Sequence, residues 1–146
     1  MEELFPMTPV QLARTEQALA ACNAKTARFG LTLSPEQIAA LAAGRTQALR
    51  NTGRVEFGEG ILPRLVLAFC DSPYLHQEDY AETMLTLQEI FYNFKNEFQE
   101  RLSDDRLLRL LRRAFDERAH GAAEYLAGLS PAELLAKREE PDDRET

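Results

Sequence analysis

Residues 77–101 read QEDYAETMLTLQEIFYNFKNEFQER, and the fold follows from how the large apolar side chains in this stretch are spaced. Tyr80, Met84, Leu87, Phe91, Phe94 and Phe98 stand 4, 3, 4, 3 and 4 residues apart, the period of a helix with one continuous apolar seam. Ala81, Leu85 and Tyr92 form a weaker stripe about 100° around the same helix. A helix that is apolar on more than one side needs to be surrounded, so the pattern predicts a central helix over 77–101 with the other helices packed round it. A dimer seam is the competing use of this face, although about three heptads is short for an autonomous coiled coil.

Outward from this stretch, helix starts are written plainly. Thr8-Pro9-Val10-Gln11, Ser34-Pro35-Glu36-Gln37 and Ser130-Pro131-Ala132-Glu133 each place a hydroxyl at the N-cap, proline at the first helical position and Gln or Glu at N3. The hydroxyl accepts from an otherwise orphaned amide, proline gives up nothing there, and the N3 side chain reaches back to the N-cap amide. These boxes predict helices from Pro9 to about Arg28, stopped by Gly30, and from Pro35 to about Asn51, stopped by Gly53. A third helix, nearly all apolar, is expected from Pro63 to about Asp71. Ser103-Asp104-Asp105 opens a fifth, with Leu107, Leu108, Leu110, Leu111, Ala114 and Phe115 on one face and Arg106, Arg109, Arg112 and Arg113 on the other. Asp105, Asp116 and Glu117 lie four residues from Arg109, Arg112 and Arg113, so this face is expected to neutralise itself. A short piece with Ala122, Tyr125 and Leu126 and a last helix through Leu134 and Leu135 follow. Only Arg54-Val55-Glu56-Phe57-Gly58-Glu59-Gly60 alternates polar with apolar residues, and it is too short to build a sheet alone. The expected fold is therefore all-α, a single-domain bundle of five or six helices occupying residues 1–137.

The 146 residues are enough for one hydrophobic core, and 45% hydrophobic with 28% charged side chains is ordinary for a packed domain. Residues 1–73 carry seven basic and seven acidic side chains, and residues 74–146 carry ten and seventeen, so the net charge of −7 lies wholly in the second half. That balance argues against nucleic acid or an anionic membrane as partner. Part of the charge is the run 138–146, in which Glu139, Glu140, Asp142, Asp143 and Glu145 surround Pro141, and this is expected to be a disordered acidic tail. Leu19-Ala20-Ala21-Cys22 mimics a lipoprotein cleavage site, but the residues before it are acidic and interrupted by Gln11, Arg14, Glu16 and Gln17. The longest uninterrupted apolar run, Leu65–Cys70, is far below the roughly 20 residues that span a bilayer. A cytoplasmic protein is the expectation.

Chemistry is sparse. Cys22 and Cys70 fall in no CxxC or Cys/His cluster, His76 and His120 are the only histidines, and no metal, phosphate-loop or nucleophile motif occurs, so no catalytic residue, metal or cofactor is assigned. The candidate site is the neighbourhood of residues 56–60 and 70–76, with Glu59, Arg64, Cys70, Asp71 and His76 as the side chains that could act. There a thiol, a carboxylate and an imidazole fall within seven residues, and glycine loosens the backbone between helices. Cys70 follows Leu, Val, Ala and Phe, a setting in which a thiol more often packs as a small hydrophobe.

The segments Val55-Glu56-Phe57-Gly58-Glu59-Gly60-Ile61-Leu62-Pro63, Phe69-Cys70-Asp71-Ser72-Pro73-Tyr74-Leu75 and Phe91-Tyr92-Asn93-Phe94-Lys95-Asn96-Glu97 resemble a family of small bacterial proteins, a domain of unknown function, over nearly the whole chain. The resemblance implies a bacterial cytosolic protein with a single helical domain, and it carries over no substrate, cofactor or catalytic residue. Two functions remain in view. One is a non-enzymatic interaction or accessory module that binds a protein partner or a second copy of itself. The other is a small-molecule binder or enzyme with its site near 56–60 and 70–76.

Overall fold

The central position expected for the fourth helix follows from its buried side chains. In the structure, a computed structural model that describes residues 9–136, Tyr80, Met84, Leu87, Phe91 and Phe94 are all within 2% of complete burial, and Phe98 packs partly buried against them. The elements are α1 (Pro9–Thr26), α2 (Pro35–Thr52), α3 (Leu62–Phe69), α4 (Tyr80–Glu97), α5 (Asp104–Glu117), α6 (Ala123–Ala127) and α7 (Pro131–Leu135), with 3₁₀ turns at Ala27–Phe29 and Gln77–Asp79. Among the described residues the chain is all-helical, one compact domain in which α4 touches α2, α3, α5 and α6. The seam is consumed inside the chain. It is core and not a dimer face.

Local chemistry accounts for the boundaries. Ser34 and Ser130 form full capping boxes, with the N3 side chains of Gln37 and Glu133 returning to the cap amides, and Ser103 accepts from the Arg106 amide. The box at Thr8 and the acidic segment 138–146 lie outside the described residues. The fourth helix is shorter than its apolar pattern: residues 77–79 form a 3₁₀ turn, and the α-helix stops at Glu97 because Gln99 and Glu100 turn into left-handed conformations with φ of 56° and 64°. Lys95, buried beneath this turn, donates to the Leu102 carbonyl at 2.7 Å and pairs with Asp104 at 2.9 Å. A cation in the last turn of α4 suits the negative end of that helix, and the pairing with Asp104 ties it to an acid that opens α5.

Close approach of α2 and α4 depends on Gly44, where a Cβ would run into the Leu85 side chain. Asn23 fastens the α1–α2 connection by accepting from the Leu33 amide and donating to its carbonyl, at 2.8 and 2.9 Å. The alternating segment 54–60 forms no strand; it is a loop carrying a turn at Gly58.

Replacing Phe94 with Ala should cost about 3–5 kcal/mol through the cavity left in the core. Denaturant unfolding followed by circular dichroism should show that loss, and an equally stable, fully helical Phe94→Ala protein would contradict the placement of this helix.

Candidate functional site

The buried face of α2 repeats Ile38, Leu41, Ala42, Ala48 and Leu49, and Arg45 stands in the middle of it. Arg45 is 0% exposed. A guanidinium in that position needs its charge and most of its donors met, and here Nε and Nη1 are bonded while Nη2 has no partner among the described residues. Its Nε donates to Glu56 Oε1 at 2.7 Å, and one terminal nitrogen donates to Thr15 Oγ1 at 2.8 Å and to the Gly58 carbonyl at 2.9 Å. Glu56, whose side chain is 18% exposed, also accepts from the Tyr92 hydroxyl at 2.5 Å and, through Oε2, from the Ile61 amide at 3.0 Å. Thr15, itself on α1, donates in turn to the Gln11 carbonyl one turn back at 3.1 Å. One ion pair thus joins α1, α2, α4 and the loop that leads into α3.

Two consequences are geometric. Gly60 has φ of 79°, and a Cβ on it would lie 2.8 Å from Arg45 Cζ and closer still to the Glu56 carboxylate, so only glycine fits where the loop crosses the pair. The alternation in the loop is inverted relative to an ordinary amphipathic segment: the acid Glu56 points inward, while Val55 is 43% and Phe57 77% exposed. Tyr92, buried and beside the Glu56 carboxylate, has its phenol pushed far above the ordinary tyrosine range, first by burial and then by that negative charge. It is held as a donor.

The five side chains proposed from the sequence do not converge. Glu59 is exposed on the loop, and its backbone carbonyl lies 3.4 Å from Thr15 Oγ1, whose one proton has a nearer acceptor in the Gln11 carbonyl. Arg64 points the other way, to Asp105 and Asp104 at the start of α5. His76 is exposed before the 3₁₀ turn. Only Cys70 and Asp71 share a surface, an open groove of about 540 Å³ formed with Lys25, Arg28, Phe29 and Leu67. Cys70 is 9% exposed and donates to the Leu67 carbonyl at 3.3 Å, and burial raises its pKa. A protonated thiol of this kind is a poor nucleophile. Cys22 is likewise raised by burial, to about 11. Asp71 accepts from Arg112 at 2.6 Å, and that hydrogen bond lowers its pKa. No group of three or more metal-ligating side chains occurs among the described residues, and no helix there is long and apolar enough to cross a membrane.

Sequence reasoning missed Arg45, Thr15 and the role of Tyr92. The signal was available for Arg45: it sits four residues after Leu41 and three before Ala48, inside an apolar stripe where a charge demands a partner. Nothing in the sequence said that the partner would be Glu56.

Removing the guanidinium in Arg45→Ala should cost about 3 kcal/mol, because the Glu56 carboxylate is then left partly buried without its counter-charge. It should also speed amide exchange at Ile61. An unchanged unfolding midpoint would contradict the network. Tyr92 and Tyr80, the latter pushed up to about 12 by burial, predict the pH response. An unfolded tyrosine ionises near pH 10 while the folded ones stay neutral, so their contribution is intact below pH 10 and is lost as pH rises above it, by up to about 1.4 kcal/mol per pH unit for each. Tyr92→Phe should make that alkaline decline shallower, and an identical pH dependence of the unfolding midpoint would count against it.

No curated protein and no solved structure matches the chain. The family comparison is positive over most of its length: residues 18–140, a span that includes Arg45, Glu56, Gly60 and Tyr92, match a family of unknown function (DUF6323), and the chain belongs to that family.

Proposed function

We propose that the protein is a non-enzymatic interaction module, bacterial and cytoplasmic, that presents Phe57 to an apolar pocket of a protein partner. The observation that carries this reading is the inversion in the loop: a large aromatic, 77% exposed, flanked by residues anchored inside the protein. Leaving a phenyl ring in water forfeits roughly 2 kcal/mol of burial. The fold here spends a buried ion pair to hold the backbone in this outward geometry. A rigid exposed aromatic is what a binding hot spot requires, since little conformational entropy is lost when it docks. Val55 on the same side widens the apolar contact. The polar groups of the network, in contrast, are turned mainly on one another, Arg45 Nη2 excepted: Glu56 accepts three hydrogen bonds from the protein, and Tyr92 gives its proton to Glu56. That supports binding over chemistry at this place.

A photo-crosslinking phenylalanine analogue at position 57 should give one discrete adduct in the native cell, and Phe57→Ser should abolish the complex while shifting stability by less than about 0.5 kcal/mol. Absence of an adduct, together with an interaction profile unchanged by Phe57→Ser, would overturn this reading. An adduct of exactly twice the chain mass would identify a second copy as the occupant in place of another protein.

A further inference from the structure

The arginine face of α5 does not neutralise itself as its spacing suggests. Of the four-residue pairs, Arg112–Asp116 forms, at 2.8 Å. Asp105 turns instead to Arg64 on α3. Arg112 is fully committed, bonding Asp116, the Ala68 carbonyl at 2.8 Å and Asp71 at 2.6 Å. Arg109 and Arg113 form no ion pair among the described residues, and they stand four apart, side by side on the helix. Together with Arg112 they border an open groove of about 490 Å³ whose floor is Ala68 and Leu108.

The second groove, with Cys70 and Asp71, is also built on the last turn of α3: Ala68 lines the first, and the residue before it, Leu67, lines this one. Its basic residues are Lys25 and Arg28, also without an ion pair among the described residues, and Phe29 and Leu67 are exposed beside them. Four cations without an ion pair among the described residues, Arg28 stacked over the Phe29 ring at 4.8 Å, therefore border a partly apolar shelf on a protein whose net charge is −7. Positive charge concentrated against the overall balance is a recognition feature, because it sets a local field opposite to that of the rest of the surface.

We infer that this shelf, from Lys25 and Arg28 across Leu67 and Ala68 to Arg109 and Arg113, docks an acidic segment of a protein partner that also carries aliphatic side chains. Both grooves are shallow and open, a form that fits a length of chain better than a small molecule, which needs to be enclosed. Arginines bind carboxylates through paired N–H groups, and Leu67 and Phe29, both exposed, provide contact for the aliphatic residues between them. Asp71 and Asp116 are taken by Arg112, and five basic against three acidic side chains in the two grooves leave a modest positive excess, which suits the spaced carboxylates of an acidic segment better than the dense phosphate charge of a nucleic acid. The surface is separate from the Phe57 loop and stands independently of it.

Fluorescence anisotropy on the full chain tests this, with a labelled peptide of Glu and Leu at helical spacing as probe. The Glu peptide should bind, weaken as salt is raised, and lose about tenfold in affinity in Arg109→Gln/Arg113→Gln and again in Lys25→Gln/Arg28→Gln, with circular dichroism unchanged and Phe57→Ser without effect. Four results would overturn the proposal: equal binding of the Lys counterpart, affinity unchanged in both double variants, preferential binding of a single-stranded oligonucleotide, or binding seen only after Glu139, Glu140, Asp142, Asp143 and Glu145 are replaced by their amides. The last would make the chain's own acidic segment the occupant.

Discussion

The rest of the structure is organised around the ion pair of Arg45 and Glu56. A guanidinium with no solvent exposure is costly to desolvate, and a well-packed apolar pair of the same volume would often be as stable or more so. What an apolar pair could not do is specify position. Glu56 accepts from Arg45, Tyr92 and the Ile61 amide, and Arg45 donates to Thr15 and the Gly58 carbonyl. Each of these contacts has a direction, so the register of α1, α2 and α4 and the path of the 53–61 loop are settled together. Gly60 completes the arrangement by leaving room for both charged groups.

That constraint connects architecture to the proposed activity. The core itself is ordinary: a central helix, α4, whose aromatic seam is filled from several sides. Helix packing alone would leave the α2–α3 connection free to fold its apolar residues inward. Anchoring Glu56 inside forces its neighbours Val55 and Phe57 outward, since adjacent side chains of an extended backbone point to opposite sides. The exposed phenyl ring is then a direct product of the buried carboxylate. The entropy of holding it is met at folding, before any partner arrives.

A similar redistribution shapes the opposite chemistry on α5. Its arginines look balanced along the helix, yet the third dimension offers Asp105 a better partner in Arg64 and gives Arg112 two acids and a carbonyl. Electrostatic pairing follows proximity in space, and a residue on a neighbouring helix competes on equal terms with one a turn away. The excess appears at Arg109 and Arg113 in one groove against α3 and at Lys25 and Arg28, from a distant part of the chain, in another. Two surfaces of unlike character, one aromatic and one cationic, thus arise on a molecule whose overall charge is acidic.

Much of the fold was legible in the sequence, for reasons that are local. The 3.5-residue repeat of Tyr80 to Phe94 identifies a buried helix because only one periodicity brings those side chains to one face. Ser34 and Ser130 mark helix starts because capping is settled within three residues, and Gly30 and Gly53 mark ends because both adopt left-handed backbone there. The end of α4 was not legible, since Phe98 continues the apolar pattern past Glu97 while Gln99 and Glu100 turn away over the buried Lys95. The candidate site was read only in part. Glu56 and Gly60 fell within the segment singled out, and Cys70 and Asp71 do share a groove, but Glu59, Arg64 and His76 go elsewhere. Arg45, Thr15 and Tyr92 are 11, 41 and 36 residues from Glu56 in the chain, and no local rule relates them. Periodicity and capping are properties of neighbouring residues and survive in one dimension. Which charge meets which, and therefore which side of a loop faces water, depended on distances that exist only once the helices have packed.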